Sequence, residues 1–102
     1  TAVDYGINTI TIVMNNKSWG AEKAYQKDFY GKRYIGADIS SPPFDKVAKL
    51  YGAKGYKVDR VSEINEAVKA AINCNKPAVI DVAVDPKALY SFRRDSFKHR
   101  IK

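Results

Sequence analysis

Two short runs of almost continuous apolar residues constrain the fold of this chain more than any other feature. They are "TITIVM" at residues 9–14 and "AVIDVAV" at residues 78–84. Runs of this length, rich in β-branched residues, are typical of strands that are buried in a parallel sheet. The two runs therefore predict two buried parallel strands, and the segments between them decide how these strands are connected.

The connecting residues carry the signals of three helices. A helix is predicted over residues 19–29, with Ser18 as its N-cap. "SSPPFDKVAKLYG" predicts a second helix that Ser41 caps and Gly52 ends, and Ser62 is the expected cap of a third. Each of the last two helices has an apolar face at helical spacing. These faces consist of Phe44, Val47, Ala48 and Tyr51 in the second helix, and of Ile64, Ala67, Val68, Ala71 and Ile72 in the third.

Strand and helix signals alternate along the whole chain. "TAVDYGIN" predicts the end of a helix capped by Gly6, "DFYGKRYIGAD" an irregular loop, and "GYKVD" a short strand. Strands that alternate with helices indicate an α/β fold, with a mostly parallel sheet flanked by helices. At 102 residues, the chain is long enough for one such domain.

The net charge of +7 is concentrated at the carboxyl end of the chain. Residues 87–102 hold six basic residues and one acidic residue, whereas residues 1–86 hold twelve and ten. A nucleic-acid-binding domain more often carries its positive charge on one folded face. No apolar stretch approaches the roughly 20 residues that a membrane-spanning helix needs. We therefore predict a nearly neutral domain over residues 1–86, a basic tail over residues 87–102, and neither nucleic acid nor membrane as a partner.

Asn15 and Asn16 follow the first apolar run, at the place where open α/β sheets bind ligands. The next helix begins there, and its N-terminus favours an anionic group such as a diphosphate. Neutral amide and main-chain oxygens are suitable ligands for magnesium that is shared with phosphate groups. Asparagine is also common in simple turns, because its side chain bonds its own main chain. The residues alone leave the turn and the metal ligand open.

The sequence "VMNNKSWG" resembles the end of the cofactor motif of thiamine-diphosphate-dependent enzymes. Residues 1–86 resemble the C-terminal half of the diphosphate-binding domain of this family, through "SPPFDKVAKLYGAKGYKVDRVSEINEAVKAAI" and "KPAVIDVAVDP". The resemblance implies that thiamine diphosphate and Mg2+ are the cofactors. It assigns the metal to the side chain of Asn16 and the main-chain carbonyl of Ser18. The implied cofactor-binding residues are Asn15, Asn16, Lys17, Ser18, Trp19 and Gly20.

The same family motif opens with Gly-Asp-Gly about two dozen residues before the asparagine pair. Only 14 residues precede Asn15 in this chain, so the metal ligand in that opening is absent. The glutamate that activates the cofactor lies in another domain of the family and is absent too. We therefore expect the C-terminal portion of a longer enzyme, which is inactive by itself and whose catalytic residues are unknown.

Two further segments, "WGAEKAYQKDFYGKRYIG" and "FRRDSFK", resemble the sulfoacetaldehyde acetyltransferases within this family. This resemblance implies the conversion of sulfoacetaldehyde and phosphate to acetyl phosphate and sulfite. It also implies a cytoplasmic homo-oligomer, dimer or tetramer, whose sites lie between subunits; the single cysteine agrees with a reducing compartment. An acetolactate synthase or a related decarboxylase is the alternative in the same family. A small basic binding module without activity is the alternative from another class.

Several other residues have two explanations each. Arg93 and Arg94 are suited to bind a phosphate or sulfonate substrate, or they belong to a solvated or interface-forming tail. Glu22 is either an acid–base group or an exposed helix residue, and Lys17 either neutralises the diphosphate or is solvated. Asp81 interrupts an apolar strand, where it should accept a hydrogen bond or face the strand end. The aromatic residues that either line a cofactor pocket or fill the core or a subunit interface are Trp19, Tyr25, Phe29, Tyr30 and Tyr34.

Overall fold

The computed structural model describes residues 1–89 of the chain. These residues belong to two compact units. One unit, the sheet unit, consists of residues 1–15 and 41–84. The other, the loop unit, consists, within the described residues, of residues 16–40 and 85–89.

The sheet unit is built on three parallel strands. These are β1 (Ile10–Asn15), β2 (Lys54–Val58) and β3 (Ala78–Ala83), in the order β1-β3-β2. Ile80 of the central strand β3 lies opposite Ile12 of β1 on one side and opposite Tyr56 of β2 on the other. The predicted α/β fold with a parallel sheet is confirmed, and the strand ends differ from the predicted ones by about one residue.

The described residues also form four helices. They are α1 (Ala2–Tyr5), α2 (Gly20–Phe29), α3 (Phe44–Leu50) and α4 (Ile64–Asn73), and a 3-10 turn over Val61–Glu63 precedes α4. The helix α2 belongs to the loop unit, and the other three belong to the sheet unit. None of the helices in residues 1–89 has the length and apolarity that would let it cross a membrane.

The glycines predicted to end helices do so. Gly6 follows α1 with φ +64°, and the neighbouring Ile7 N–H donates to the Ala2 carbonyl at 2.9 Å. Gly52 follows α3 with φ +86°, and its N–H donates to the Lys49 carbonyl at 3.0 Å. Both positions need the left-handed backbone that glycine adopts without a steric penalty, which is why the sequence signal was reliable.

The three predicted serine N-caps are wrong. Trp19, Pro43 and Glu63 occupy the N-cap positions of α2, α3 and α4, and none of them makes a side-chain capping bond. Ser41 is followed by two prolines, and a residue before proline is disfavoured in the helical region, so α3 begins only after the second proline. Ser62 lies inside the 3-10 turn instead of before it.

The core of the sheet unit lies between the sheet and α4. It consists of Val58, Ala71, Ala78, Ile80 and Val82, and Ile80 is fully buried. The predicted apolar face of α4 packs against this core, except at its end, where Ile72 is 60% exposed. On the predicted apolar face of the second helix, Ala48 is buried, but Tyr51, which follows the end of α3, is 76% exposed.

The strand β1 is less buried than the sequence predicts. Ile10, Ile12 and Met14 are exposed, Met14 by 64%. The reason is position, because β3 occupies the centre of the sheet and α4 packs on β3 and β2. Within residues 1–89, β1 is an edge strand with a partner on one side only.

Close packing of α3 on β2 depends on a glycine. A Cβ atom at Gly55 would overlap the main-chain carbonyl group of Asp45, the second residue of α3. Gly55 and Asp81 lie on the same face of the sheet, since they flank the Tyr56–Ile80 pair in register. The helix α3 therefore covers the face of the sheet opposite to α4.

Candidate functional site

Two hydrogen bonds hold the carboxyl end of β1: one joins it to β3, and the other joins it to the residue that follows β3. The main-chain carbonyl of Asn15 accepts the Val84 N–H at 3.1 Å. The Asn15 side-chain amide donates to Oδ1 of Asp81 at 3.1 Å. Both the main chain and the side chain of Asn15 are therefore fixed where β1 ends.

Asp81 is buried, with 2% of its surface exposed. Its second carboxylate oxygen, Oδ2, accepts the Phe44 N–H at 3.2 Å. Phe44 is the first residue of α3, and Pro43 before it has no side chain that caps the helix. The carboxylate from β3 thus satisfies an N–H group that an isolated helix leaves without a partner. The prediction that Asp81 accepts a hydrogen bond is confirmed.

In the loop unit, Asn16 forms the turn that its residue type favours. Its Oδ1 accepts the Ser18 N–H at 3.1 Å, and its main-chain oxygen accepts the Ser18 hydroxyl at 3.2 Å. Lys17 between them has φ +54°, in the left-handed region, and its side chain is exposed. This turn explains why the predicted Ser18 cap fails, because its hydroxyl is directed to Asn16.

Gly20 makes room for the Asn16 side chain at the start of α2. A Cβ atom at this position would lie 2.8 Å from the Asn16 Nδ2 atom, which is too close. The amide therefore lies against the first turn of α2, whose leading N–H groups have no partners within the helix. Gly20 is one of the cofactor-binding residues that the family resemblance implies, and the close approach of the Asn16 amide requires a residue without a side chain here.

The two neutral oxygens predicted as metal ligands fit a hard cation. Asn16 Oδ1 accepts one hydrogen bond, and an amide oxygen has two lone pairs, so one remains for a metal. Among residues 1–89, none donates a hydrogen bond to the main-chain oxygen of Ser18. Magnesium takes oxygen ligands and usually completes its octahedron with waters and substrate phosphates. No cluster of three or more His, Cys, Asp or Glu residues suited to a metal occurs in the described part of the chain.

A second strand-like contact holds the turn from the other side. Ser18 forms an isolated bridge with Asp38, in which the Trp19 N–H donates to the Ala37 carbonyl at 2.6 Å. The Ser18 hydroxyl shares its single proton between the Asn16 main-chain oxygen and Asp38 Oδ1, which is 3.2 Å away, and Lys23 Nζ lies 2.6 Å from the same carboxylate oxygen. The hydrogen bond from Lys23 is the main reason that the pKa of Asp38 lies below its ordinary value of 3.8. Sequence reasoning missed Asp38, which no motif links to Ser18.

Three of the five candidate aromatic residues are exposed and do not fill the core within residues 1–89, which leaves a cofactor pocket or a subunit interface as their explanation. Trp19 is 61% exposed, Tyr30 59% and Tyr34 45%, while Tyr25 and Phe29 stack with ring centroids 5.9 Å apart. Three of them contribute to one cavity of about 560 Å3 within the loop unit. This cavity is lined by Glu22, Tyr25, Gln26, Tyr30, Arg33, Tyr34 and Ile35.

The remaining candidates are placed as follows. Glu22 is an exposed residue in the first turn of α2, which agrees with the simpler of its two explanations. Cys74 is partly buried, and its thiol donates to the Ala71 carbonyl at 3.1 Å. Arg93 and Arg94 lie outside the described residues.

The chain is similar in sequence to one known protein family and to several of its members. The family described as "Thiamine pyrophosphate enzyme, C-terminal TPP binding domain" matches residues 1–82. A probable acetolactate synthase large subunit of Methanococcus aeolicus is 37% identical over 89% of this chain. Sulfoacetaldehyde acetyltransferases of Castellaniella defragrans and Alcaligenes xylosoxydans xylosoxydans are 34% and 33% identical over the whole chain.

These relatives are much longer proteins. The matched segments make up 15% of the acetolactate synthase subunit and 18% of each acetyltransferase. The predicted family and cofactor are confirmed, and magnesium is the usual partner metal in this family. The parallel sheet that ends in an asparagine turn, and the match over residues 1–82, show that the chain belongs to the thiamine pyrophosphate enzymes and carries the sequence of their C-terminal cofactor-binding domain.

Proposed function

We propose that Asn16 and Ser18 bind the magnesium ion that holds the diphosphate of the cofactor. The observation that carries this proposal is the Asn16–Ser18 turn, in which an amide oxygen and a main-chain oxygen both retain capacity for a metal. Gly20 supports it, since its lack of a Cβ keeps the Asn16 amide at the start of α2.

The chemistry of these ligands suits a metal bound to a diphosphate. Neutral oxygens bind magnesium without adding negative charge beside the diphosphate, so the ion keeps its charge for the cofactor. The N-terminus of α2 adds favourable partial positive charge for an anion. Bound thiamine diphosphate supplies a nucleophilic carbon for a carbonyl substrate, and the protein residues position and orient it.

The contacts around Ser18 support its assignment. Its N–H and its hydroxyl both bond to Asn16, and its hydroxyl also bonds to Asp38, which pairs with Lys23. A ligand whose neighbouring groups are held in this way needs little reordering when a metal binds. The turn, the bridge and the ion pair thus act together to orient the Ser18 carbonyl.

For the complete protein we propose a sulfoacetaldehyde acetyltransferase, which converts sulfoacetaldehyde and phosphate to acetyl phosphate and sulfite. The support is that the match to two proteins of that name extends over all 102 residues, including the basic tail. A cytoplasmic homo-oligomer, as a dimer or tetramer, and a tail over residues 87–102 that follows the domain of residues 1–86 are parts of the same proposal.

An acetolactate synthase is the second candidate. The support is the match to the probable acetolactate synthase subunit, which has the higher identity of 37% but covers 89% of the chain. The two candidates share the cofactor site and differ in their substrates. A substrate assay is therefore what separates them.

The metal assignment is tested by Asn16→Ala in the full-length protein that carries this sequence. Loss of a residue that only supports a metal ligand typically lowers metal affinity about 10- to 100-fold, and loss of a ligand should lower it at least as much. Calorimetric titration of the apoprotein with thiamine diphosphate and magnesium measures this loss. Asn73→Ala, the same substitution on the exposed end of α4, is the matched control and should leave the affinity unchanged.

The reaction is tested by giving the full-length protein sulfoacetaldehyde with phosphate, or pyruvate alone. Formation of sulfite and acetyl phosphate is the expected result. Acetolactate from pyruvate without release of sulfite would replace this proposal with the second candidate. If neither substrate reacts and the protein binds no thiamine diphosphate, the assignment of Asn16 and Ser18 is wrong as well.

Arg93 and Arg94 belong to the proposal as ligands of the substrate anion. Loss of one charge-assisted hydrogen bond corresponds to roughly a 10- to 100-fold rise in the KM of phosphate or sulfoacetaldehyde. Arg93→Ala and Arg94→Ala should show this rise while the dependence on magnesium and cofactor stays unchanged. An unchanged KM for both substrates would assign these arginines to a solvated or interface-forming tail.

A further inference from the structure

A buried carboxylate lies at the centre of the sheet, where an apolar residue would fit the pattern of the strand. Asp81 is 2% exposed, and residues 78–80 and 82–84 around it are all apolar. Within residues 1–89, it is not part of an ion pair. Burial of a charge without an opposite charge is costly, so a carboxylate at this position requires a compensating role.

The carboxylate connects two elements that meet at the same end of the sheet. One oxygen accepts the Asn15 amide at the end of β1, at 3.1 Å, and the other accepts the Phe44 N–H at the start of α3, at 3.2 Å. Asn15 and Asp81 are 66 residues apart in sequence. The residue after Asn15 in the chain is Asn16, for which we propose the metal-ligand role.

We infer that Asp81 is a positioning residue for the magnesium ligand, which acts through Asn15. Its carboxylate fixes the side chain of the last residue of β1, while the Val84 N–H fixes the main chain of the same residue. The peptide that leads to Asn16 therefore starts from a residue with restricted orientation. This inference rests on the proposed function of Asn16, and it assigns to the asparagine pair two separate tasks.

The hydrogen-bonding capacities of the two side chains provide a specific test. Both groups that face Asp81 are N–H donors, so only a side chain with two acceptors satisfies them together. Asp81→Asn keeps one acceptor and turns a donor towards the other N–H. Asn15→Asp places two carboxylates in contact. In the double variant Asn15→Asp/Asp81→Asn, the amide at position 81 donates to the carboxylate at position 15 and still accepts the Phe44 N–H.

The experiment measures thiamine diphosphate affinity of the full-length apoprotein by calorimetry, at a fixed magnesium concentration. Each single variant should lower the affinity by about 10-fold or more, as expected for one lost hydrogen bond to a charged group. The double variant should recover to within about 3-fold of the natural protein, which is a non-additivity typical of residues in contact. Val82→Ala is the matched control, because it weakens the same strand on its opposite face and should leave the affinity unchanged.

The outcomes separate this inference from the proposed function. If the natural protein binds no thiamine diphosphate, the proposed function fails. If it binds the cofactor, but Asp81→Asn and Val82→Ala lower only the unfolding midpoint, Asp81 is structural and the inference is overturned. The inference would also be overturned if the double variant lost as much thiamine diphosphate affinity as the two single losses multiplied together, since the two side chains would then act independently.

Discussion

The two units of this chain keep their polar groups in opposite environments. In the sheet unit, Ile80 and Val58 are fully buried on one face of the sheet, and the carboxylate of Asp81 is buried on the opposite face. In the described part of the loop unit, Ala24 and Ala37 are the buried residues, and both are small. The charged pair of the loop unit, Lys23 and Asp38, includes a carboxylate whose side chain is 71% exposed.

The difference indicates where stability and binding are located. Free energy of folding comes mainly from buried apolar surface, so the sheet unit should carry most of it. The loop unit gains little from burial and is organised by hydrogen bonds around Asn16 and Ser18. Binding residues are commonly found on loops that a more stable scaffold positions. The following substitutions test this division in the full-length protein.

The largest expected effect is that of Ile80→Ala. Truncation of a fully buried isoleucine removes apolar contacts and leaves a cavity, at a cost of about 3–4 kcal/mol in the free energy of unfolding. Tyr30→Ala in the loop unit should cost less than about 1 kcal/mol, because Tyr30 is 59% exposed. Urea denaturation measures both. Equal losses would remove the distinction between the two units.

Gly55→Ala should have the next largest effect. The added Cβ atom would overlap the Asp45 carbonyl group, so α3 has to move away from β2, which should cost about 2–3 kcal/mol. Gly31→Ala in the loop unit is the control, since Gly31 has φ +63° but open space around it. There we expect only the backbone cost of about 1 kcal/mol. If Gly31→Ala lowered the free energy of unfolding more than Gly55→Ala does, the close packing proposed for Gly55 would be contradicted.

Tyr56 should make the sheet unit sensitive to alkaline pH. Burial, together with the neighbouring Cys74, raises its pKa above the ordinary value of 10.0. Because the pKa of Tyr56 is higher in the folded state, its protonated side chain contributes fully to the free energy of unfolding below pH 10. This contribution is lost as the pH rises through the folded pKa. Tyr56→Phe should therefore reduce the loss of stability between pH 9 and pH 11, measured by urea denaturation. An identical alkaline loss in this variant would show that another group is responsible.

The smallest expected effect is that of Asp38 on the loop unit. Since the hydrogen bond from Lys23 lowers the pKa of Asp38, the ionised Asp38 stabilises the folded state above the ordinary pKa of 3.8. This contribution is lost as the pH falls through the lower folded pKa. The Asp38 side chain is 71% exposed, and ion pairs with so exposed a partner contribute little to global stability. Asp38→Asn should leave the urea midpoint unchanged but increase amide hydrogen exchange at Trp19 and Ile39, which flank the bridge. Unchanged exchange at both amides would show that the ion pair does not organise the turn.

The sequence determined the elements whose causes are local. Apolar runs predicted the strands β1 and β3, and glycines that need a left-handed backbone predicted the ends of α1 and α3. The motif "VMNNKSWG" predicted the family, because its residues are contiguous and lie at the end of a strand. Each of these signals depends on neighbouring residues only, so one sequence is sufficient to find it.

The tertiary structure alone decided which partners distant residues find. Whether an apolar strand is buried depends on its place in the sheet, which is why β3 is central and β1 is exposed despite similar sequences. The contact of Asn15 with Asp81 spans 66 residues, and that of Ser18 with Asp38 spans 20. Hydrogen bonds are short and directional, so these pairs exist only after the chain has folded and brought the groups together.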